Sequence, residues 1–138
     1  MSYDENNIFA RILRAELPVI KVYEDDVTLA FMDIMPQADG HTLVIPKQRA
    51  ENLLDLPDEA AADLIVKVKK VACAVKSGLQ ADGITIFQLN GSAAGQTVPH
   101  IHFHILPGSF LNAKTHATNA ADPAYIESLA EKIRSAIK

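Results

Sequence analysis

Three histidines stand at a spacing of two in the run 99–107, whose sequence is Pro-His-Ile-His-Phe-His-Ile-Leu-Pro. Strict alternation with apolar residues is typical of a β-strand with one buried face. On such a strand His100, His102 and His104 share one face, with successive Cα atoms about 6.5–7 Å apart, and the apolar residues between them face the core. Because imidazole titrates near neutral pH, a row of three indicates a site for acid–base, nucleophilic or metal-binding chemistry.

Three interpretations of this strand compete. The histidines could be hydrogen-bonded surface residues without chemistry, which three members at one spacing disfavour. They could bind zinc, since His-x-His on a strand supplies several imidazoles, although the adjacent loop offers neither Asp nor Glu as a further ligand. Alternatively, one ring nitrogen could attack phosphorus while the other N–H is held by a carbonyl or carboxylate group. The strand alone leaves catalysis and metal binding nearly equal.

The loop that precedes the strand has the composition of a phosphate-binding loop. Gly91 and Gly95 allow close approach of the backbone, and Ser92, Gln96 and Thr97 offer hydrogen bonds beside the histidines. The sequence contains no Gly-x-x-x-x-Gly-Lys-Ser/Thr motif, which argues against a P-loop enzyme.

The surrounding sequence predicts one α+β domain with a mainly antiparallel sheet. Asn6 or Asn7 can cap a short first helix, Asp58 can cap a long helix over 58–79, and Asp122 can cap a last helix over 123–137. Further strands are predicted at 19–24, 27–33, 41–45 and 84–89. The strand at 84–89 has few polar residues and is therefore expected in the centre of the sheet.

Composition narrows the possible partners. The 138 residues fit one domain, and 49% apolar with 22% charged residues is ordinary for a globular protein. A net charge of −4 argues against a nucleic acid polymer as a partner.

The single cysteine, Cys73, cannot form an internal disulfide and is expected to be buried in the long helix. The sequence shows neither a membrane-spanning run nor a secretory signal, so we expect no membrane partner and a cytoplasmic location.

The histidine strand resembles the defining motif of the histidine triad (HIT) superfamily, His-φ-His-φ-His-φ-φ, where φ is an apolar residue. The preceding run Gly-Gln-Thr-Val-Pro at 95–99 is similar to the lead-in of many members. The segments 7–9, 24–26, 29–36 and 40–47 also match family patterns in the expected order. The resemblance covers about residues 6–108, the expected HIT domain. Residues 109–138 are then a C-terminal extension with a helix, within the same domain.

This resemblance implies a nucleotide hydrolase or nucleotidyl transferase that acts at an α-phosphate and needs no cofactor. The expected substrates are nucleoside phosphoramidates or dinucleoside polyphosphates, and the expected product is a nucleoside monophosphate. By the family pattern His102 is the nucleophile and forms a nucleotidyl-histidine, while His100 and His104 flank the phosphate. His41 is expected to orient the site or to form a hydrogen bond within it.

The resemblance also implies a nucleotide-binding set. Gln96 and Thr97 match positions that contact the phosphate or the leaving group, and Asp33 matches the carboxylate that binds ribose hydroxyls. A less secure match is Asn90. The apolar slot for the base is expected from Ile8, Phe9, Phe31 and Ile34. His116 lies outside the motif and is interpreted as a surface histidine.

Two departures from the family pattern bear on function. Many bacterial members hold a structural zinc with two cysteines, a histidine and the first triad histidine, whereas here Asn7, Ala10 and Arg49 occupy the three other positions. We therefore predict no metal. The chain also has no Trp, so it lacks the tryptophan-containing C-terminus of the best-known phosphoramidase branch.

The resemblance also implies an oligomeric state and leaves two alternative functions open. Members are usually homodimers, and the helix over 58–79 is apolar enough to serve such an interface. Two alternatives to a hydrolase remain: a nucleotide-binding regulator with little turnover, and a metal-binding protein built on the histidine strand.

Overall fold

Five strands form an antiparallel sheet that carries the histidine strand near its middle. The computed structural model describes residues 3–109, 111 and 121–138. In chain order its elements are α1 (Ile8–Leu13), β1 (Lys21–Glu24), β2 (Thr28–Met32), β3 (Thr42–Pro46), α2 (Asp58–Gly78), β4 (Ile84–Gln88), β5 (Phe103–Pro107) and α3 (Pro123–Ala136). The strand order is β1-β2-β3-β5-β4. The predicted α+β class, with an antiparallel sheet, a long helix and a C-terminal helix, is confirmed.

Two helices cover one face of the sheet and form the main core. Buried residues of α2 and α3 pack there against the sheet residues Ala30, Val44 and Ile105. Burying a Val, Leu or Ile side chain contributes about 1.5–3 kcal/mol, so this layer supplies most of the hydrophobic stabilisation. The helical members of the cluster are Leu64, Val68, Val71, Ala72, Ala74, Val75, Ile126, Leu129, Ala130 and Ile133. Within the described residues, the structure contains no helix long and apolar enough to cross a membrane.

Two of the three predicted N-caps are present in the structure. Asn7 Oδ1 accepts a hydrogen bond from the backbone N–H of Ala10 at 2.9 Å, and Asp122 caps α3 in the same way. A cap of this kind contributes about 1 kcal/mol. The prediction for α2 is wrong, because Pro57 occupies the N-cap position and makes no side-chain cap, while Asp58 is the first helical residue.

The expected burial of Cys73 is also wrong, since its side chain is exposed. A helix turns by about 100° per residue, which places position 73 on the side of α2 opposite the buried Val71 and Val75. The apolar character of Cys73 alone could not reveal that orientation.

A second, smaller apolar cluster covers the other face of the sheet. It comprises Phe9 of α1, Leu29 and Phe31 of β2, and Leu43 and Ile45 of β3. Strands β2 and β3 are therefore buried on both faces, and each of their residues is buried. This second face is the one on which the histidines lie.

The composition of β4 predicts a position in the centre of the sheet, and this prediction is wrong. Strand β4 lies at the edge of the sheet, next to β5. Its residue Ile86 is 44% exposed. Few polar residues in a short strand indicate burial only when neighbours exist on both sides, and the strand's own sequence does not specify its neighbours.

The predicted alternation of side chains along 100–106 is confirmed, but the strand is shorter than the alternating run. Ile101 and Ile105 are fully buried toward the helices, so the histidines between them face the second cluster. However, β5 begins only at Phe103, and His100 and His102 precede it in an extended segment. The histidine face is also not a solvated polar face, because α1 covers it and leaves both His100 and His102 buried.

Candidate active site

The four histidines expected in the site come from two neighbouring strands and their lead-in segments. His104 lies on β5 opposite Leu43 of β3, and His41 directly precedes β3. The ring centroid of His104 is 5.2 Å from that of His41 and 4.8 Å from that of His102. His100 joins the group through its backbone, which contacts the His102 ring. The structure therefore brings all four together.

His102 is held as a neutral imidazole with a free lone pair. Its Nδ1 lies 2.7 Å from the carbonyl oxygen of His100, and because a carbonyl only accepts, Nδ1 must carry the proton. Burial lowers the pKa of His102, although the bond to the carbonyl acts in the opposite direction. Nε2 thus keeps its lone pair, and it makes no hydrogen bond to the described residues. This tautomer is the one that nucleophilic attack through Nε2 requires.

His100 has both ring nitrogens occupied. Its Nε2 lies 2.9 Å from the carbonyl oxygen of Pro46 and must be the donor, so Nδ1 accepts a hydrogen bond from the hydroxyl of Tyr3. The side chain is fully buried, and this burial lowers its pKa to about 4. Neither ring nitrogen of His100 therefore remains available to a ligand.

His41 and His104 form a second hydrogen-bonded pair. The backbone N–H of Gln37 donates to His41 Nδ1 at 3.1 Å, so the proton of His41 lies on Nε2 and is donated to His104 Nδ1 at 3.0 Å. His104 consequently carries its own proton on Nε2. Burial lowers the pKa of His41 to about 4 and that of His104 to about 3, with smaller effects of the neighbouring histidines.

Phe87 of β4 is a site neighbour that the sequence did not indicate. Its ring stacks on that of His104 with centroids 4.2 Å apart and an angle of 7° between the planes. The contact follows from the strand register, which pairs Phe87 with His104 across β4 and β5. A parallel stack of this kind restricts rotation of the imidazole.

Asp33 lies beside the His41–His104 pair, at the end of β2. Its Oδ1 accepts a hydrogen bond from the backbone N–H of Met35 at 2.8 Å, and its Oδ2 is 3.6 Å from His41 Nδ1, too far for a hydrogen bond. Burial raises the pKa of this carboxyl group. Its side chain is nevertheless 23% exposed, so Oδ2 remains open to a donor group.

The four residues expected to form the base slot divide into two pairs. Phe9 and Phe31 are buried and pack edge to face with centroids 5.4 Å apart, and Phe9 also contacts the His102 ring edge-on at 4.9 Å. Ile8 and Ile34 are 53% and 58% exposed. The two phenylalanines are therefore core residues of the second cluster, whereas the two isoleucines present apolar surface.

The loop over 91–97 is stabilised by its own side chains. Gln96 Oε1 accepts from the Gly91 backbone N–H at 2.8 Å, and Nε2 donates to the carbonyls of Glu51 and Val98 at 2.6 and 2.9 Å. Gly91 and Gly95 adopt φ values of +93° and +102°, which other residues rarely adopt. Gln96 thus holds the loop, and both its amide oxygen and its amide nitrogen form hydrogen bonds within the protein. Thr97 is exposed.

Asn90 is also engaged within the protein. Its Oδ1 accepts hydrogen bonds from the backbone N–H of Leu53 at 3.0 Å and from Gln88 Nε2 at 2.8 Å. The side chain therefore ties the end of β4 to the segment before α2. His116 lies outside the described residues.

The positions that match zinc ligands by the resemblance hold a different set of contacts. Asn7 caps α1, and Arg49 forms an ion pair with Glu5. In the described part of the chain, no group of three or more His, Cys, Asp or Glu side chains is placed to hold a metal ion.

Comparison with known proteins shows the family to which the chain belongs. Residues 14–111 match the family model described as the HIT domain. The chain belongs to the HIT family. An adenosine 5′-monophosphoramidase of Schizosaccharomyces pombe is 37% identical to it over 137 residues, which are 95% of this chain and 98% of the relative.

Two solved HIT structures share the whole fold. A HIT-like protein from Bartonella henselae, described as involved in cell-cycle regulation and crystallised with an unknown ligand, is 50% identical with a TM-score of 0.91, and the match covers 99% of each chain. A zinc-bound histidine triad family protein from Mycobacterium smegmatis is 36% identical with a TM-score of 0.82, over 96% of this chain and 93% of the other.

Proposed function

We propose that this HIT protein hydrolyses a nucleoside phosphoramidate at its α-phosphate through a nucleotidyl-histidine at His102. The observation that carries the proposal is the hydrogen bond from His102 Nδ1 to the His100 carbonyl, which leaves an unprotonated Nε2 on a neutral ring. The relative from Schizosaccharomyces pombe, named an adenosine 5′-monophosphoramidase, supports adenosine as the nucleoside. Dinucleoside polyphosphates are the second substrate class.

The first step of the reaction joins His102 to phosphorus. The lone pair of Nε2 forms the new N–P bond while the bond from phosphorus to the leaving amine breaks, and the amine takes up a proton from solvent. The ring becomes cationic, and the Nδ1–H bond to the His100 carbonyl strengthens as that charge develops. In the second step water attacks phosphorus and releases a proton to solvent, the N–P bond breaks with its electron pair returning to Nε2, and the monophosphate departs.

The other groups of the site have supporting roles in this proposal. His104 directs its Nε2–H toward a phosphate oxygen, since His41 fixes the proton on that nitrogen. Asp33 Oδ2 accepts a ribose hydroxyl. The exposed faces of Ile8 and Ile34 contact the base. Gln96 acts indirectly by holding the loop over 91–97.

Incubation with adenosine 5′-phosphoramidate tests the proposal. We expect release of AMP by the wild-type protein and loss of turnover by at least a thousandfold in His102→Ala. His116→Ala is the matched control, because it makes the same substitution at a histidine outside the motif. Equal turnover of His102→Ala and the wild type would exclude this nucleophile. A panel of phosphoramidates and dinucleoside tri- and tetraphosphates would then identify the leaving group.

A regulatory protein that binds nucleotides with little turnover is the second candidate. The relative described as involved in cell-cycle regulation, at 50% identity, favours it. Calorimetric binding of AMP without AMP release from any substrate of the panel would support this candidate over hydrolysis.

We also propose that the protein is a homodimer. Apolar side chains are exposed on α2, where Ile65 and Val66 are 49% and 59% exposed, and on the edge strand β4, where Ile86 is 44% exposed. An unpaired strand edge beside exposed apolar residues is suited to pairing with another chain. Light scattering should give twice the chain mass of 15.0 kDa, and Val66→Glu should reduce it, unlike Ser128→Glu on α3.

A further inference from the structure

Tyr3 contacts His100 from outside the motif that defines the family. Its hydroxyl forms a hydrogen bond with His100 Nδ1, and the two rings pack edge to face with centroids 5.7 Å apart. The contact spans 97 positions of sequence, so no local pattern could have indicated it.

The segment that carries Tyr3 is held in place by further contacts. The carbonyl of Asp4 accepts hydrogen bonds from the side chain of Asn7 at 2.7 Å and from its backbone N–H at 3.3 Å. Glu5 forms an ion pair with Arg49 and accepts a hydrogen bond from Arg14 through its carbonyl. Tyr3 thus belongs to an anchored segment.

The direction of each hydrogen bond follows from the chemistry of the partners. The carbonyl of Pro46 only accepts, so the proton of His100 lies on Nε2 and Nδ1 presents a lone pair. The Tyr3 hydroxyl must then donate. Burial raises the pKa of Tyr3, which keeps its hydroxyl protonated at neutral pH.

Through this bond Tyr3 reaches the nucleophile in two steps. The His100 ring is fixed between the Tyr3 hydroxyl and the Pro46 carbonyl, and the His100 backbone carbonyl accepts the Nδ1–H of His102. Rotation of the His100 ring would strand a buried nitrogen without a partner and would disturb the backbone that orients His102.

We propose that Tyr3 is a positioning residue, which fixes the orientation of the His100 ring and thereby aligns His102 for attack. The consequence for turnover rests on the hydrolase function proposed above, whereas the hold of Tyr3 on the His100 ring does not. A purely structural tyrosine would contribute its ring to packing, and its hydroxyl would have no effect on the state of the imidazoles.

The test is Tyr3→Phe, which removes the hydroxyl and keeps the aromatic contact. In protein labelled with ¹⁵N in the imidazole rings, the wild type should show His100 as the Nε2–H tautomer at pH 7. The variant should keep this tautomer, because the Pro46 carbonyl still accepts from Nε2. Its His100 Nδ1 resonance should shift because the hydroxyl no longer donates, and the Nδ1–H resonance of His102 should shift with it. Its kcat should fall about tenfold with KM within twofold, because the binding groups are untouched. Tyr23→Phe is the matched control, since its hydroxyl bonds Asp25 at 2.6 Å on the other side of the sheet.

Each outcome decides a separate point. An unchanged Nδ1–H resonance of His102 in Tyr3→Phe would overturn the proposal, and so would an unchanged kcat. If the variant does not fold, the wild-type spectrum still decides, because an Nδ1–H tautomer of His100 would contradict donation by Tyr3. If the wild type releases no AMP from any substrate while Tyr3→Phe shifts the His100 and His102 resonances, the hydrolase function fails and the positioning of His100 by Tyr3 stands.

Discussion

We expect the protein to lose much of its folding stability when the pH falls from 7 to 5. Burial lowers the pKa of His41 and His100 to about 4 and that of His104 to about 3. In the unfolded chain the same groups titrate near pH 6.5. Between these values the unfolded state binds protons that the native state does not bind, so the free energy of unfolding decreases as the pH is lowered.

The magnitude of this loss follows from the difference between the pKa of each histidine in the unfolded state and in the native state. At pH 5 an unfolded histidine is mostly protonated and a native one with a pKa of about 4 is mostly neutral, which amounts to about 2 kcal/mol per residue relative to pH 7. Three such residues together lower the free energy of unfolding by about 5 kcal/mol. A domain of this size has a total stability of about 5–15 kcal/mol, so the effect is large.

The buried carboxyl groups do not reproduce this effect. Burial acts to raise the pKa of Asp25, but hydrogen bonds from Lys67 and Tyr23 together hold it well below its ordinary value, so Asp25 titrates below the range of pH 5–7. Burial raises the pKa of Asp33, and this carboxyl group therefore favours the native state as the pH falls. It opposes the histidines.

Urea unfolding followed by circular dichroism at pH 7, 6 and 5 measures the loss. His100→Gln provides the sharpest comparison, because its amide can still donate to the Pro46 carbonyl but does not titrate. The variant should be less stable than the wild type at pH 7, and its loss between pH 7 and pH 5 should be smaller by about 2 kcal/mol. A free energy of unfolding that is constant between pH 7 and 5, or an identical loss in His100→Gln, would refute the reasoning.

Three further substitutions test individual parts of the structure. Asp33→Asn should raise KM for the phosphoramidate about tenfold and leave kcat within twofold. The reason is that a carboxylate that binds ribose stabilises the bound substrate and the transition state equally. An unchanged KM would show that Asp33 does not bind the substrate. Phe87→Leu should lower the free energy of unfolding by about 1 kcal/mol and reduce kcat several-fold, because the stack on His104 is lost. A kcat equal to that of the wild type would show that the stack does not position the His104 ring. Asn7→Ala should lower the free energy of unfolding by about 1 kcal/mol in urea titrations, whereas an unchanged midpoint would contradict a stabilising cap.

The parts of the fold that the sequence could predict are those that local patterns determine. The alternation of Ile101 and Ile105 with the histidines placed the two sets on opposite faces of the sheet. The apolar period of α2 located that helix to within one residue of its observed end, and Asp122 marked the start of α3. Each of these features depends on neighbours within a few positions of the chain.

The features that escaped prediction depend on partners distant in sequence. The edge position of β4 is set by its pairing with β5, and the exposure of Cys73 by the rotation of α2 against the sheet. The hydrogen bonds of Gln96 to the carbonyls of Glu51 and Val98 likewise join segments that the sequence does not link. In each case the residue type alone did not specify the contacts.

The three triad histidines carry the same side chain, and the partners of their ring nitrogens make them different. The His100 carbonyl at Nδ1 of His102 only accepts, so the proton of His102 lies on Nδ1. In His100 the Pro46 carbonyl holds the proton on Nε2, and in His104 the N–H that His41 donates to Nδ1 leaves the proton on Nε2 as well. Since only an unprotonated Nε2 can attack, a backbone oxygen selects His102 among the three in the reaction that we propose.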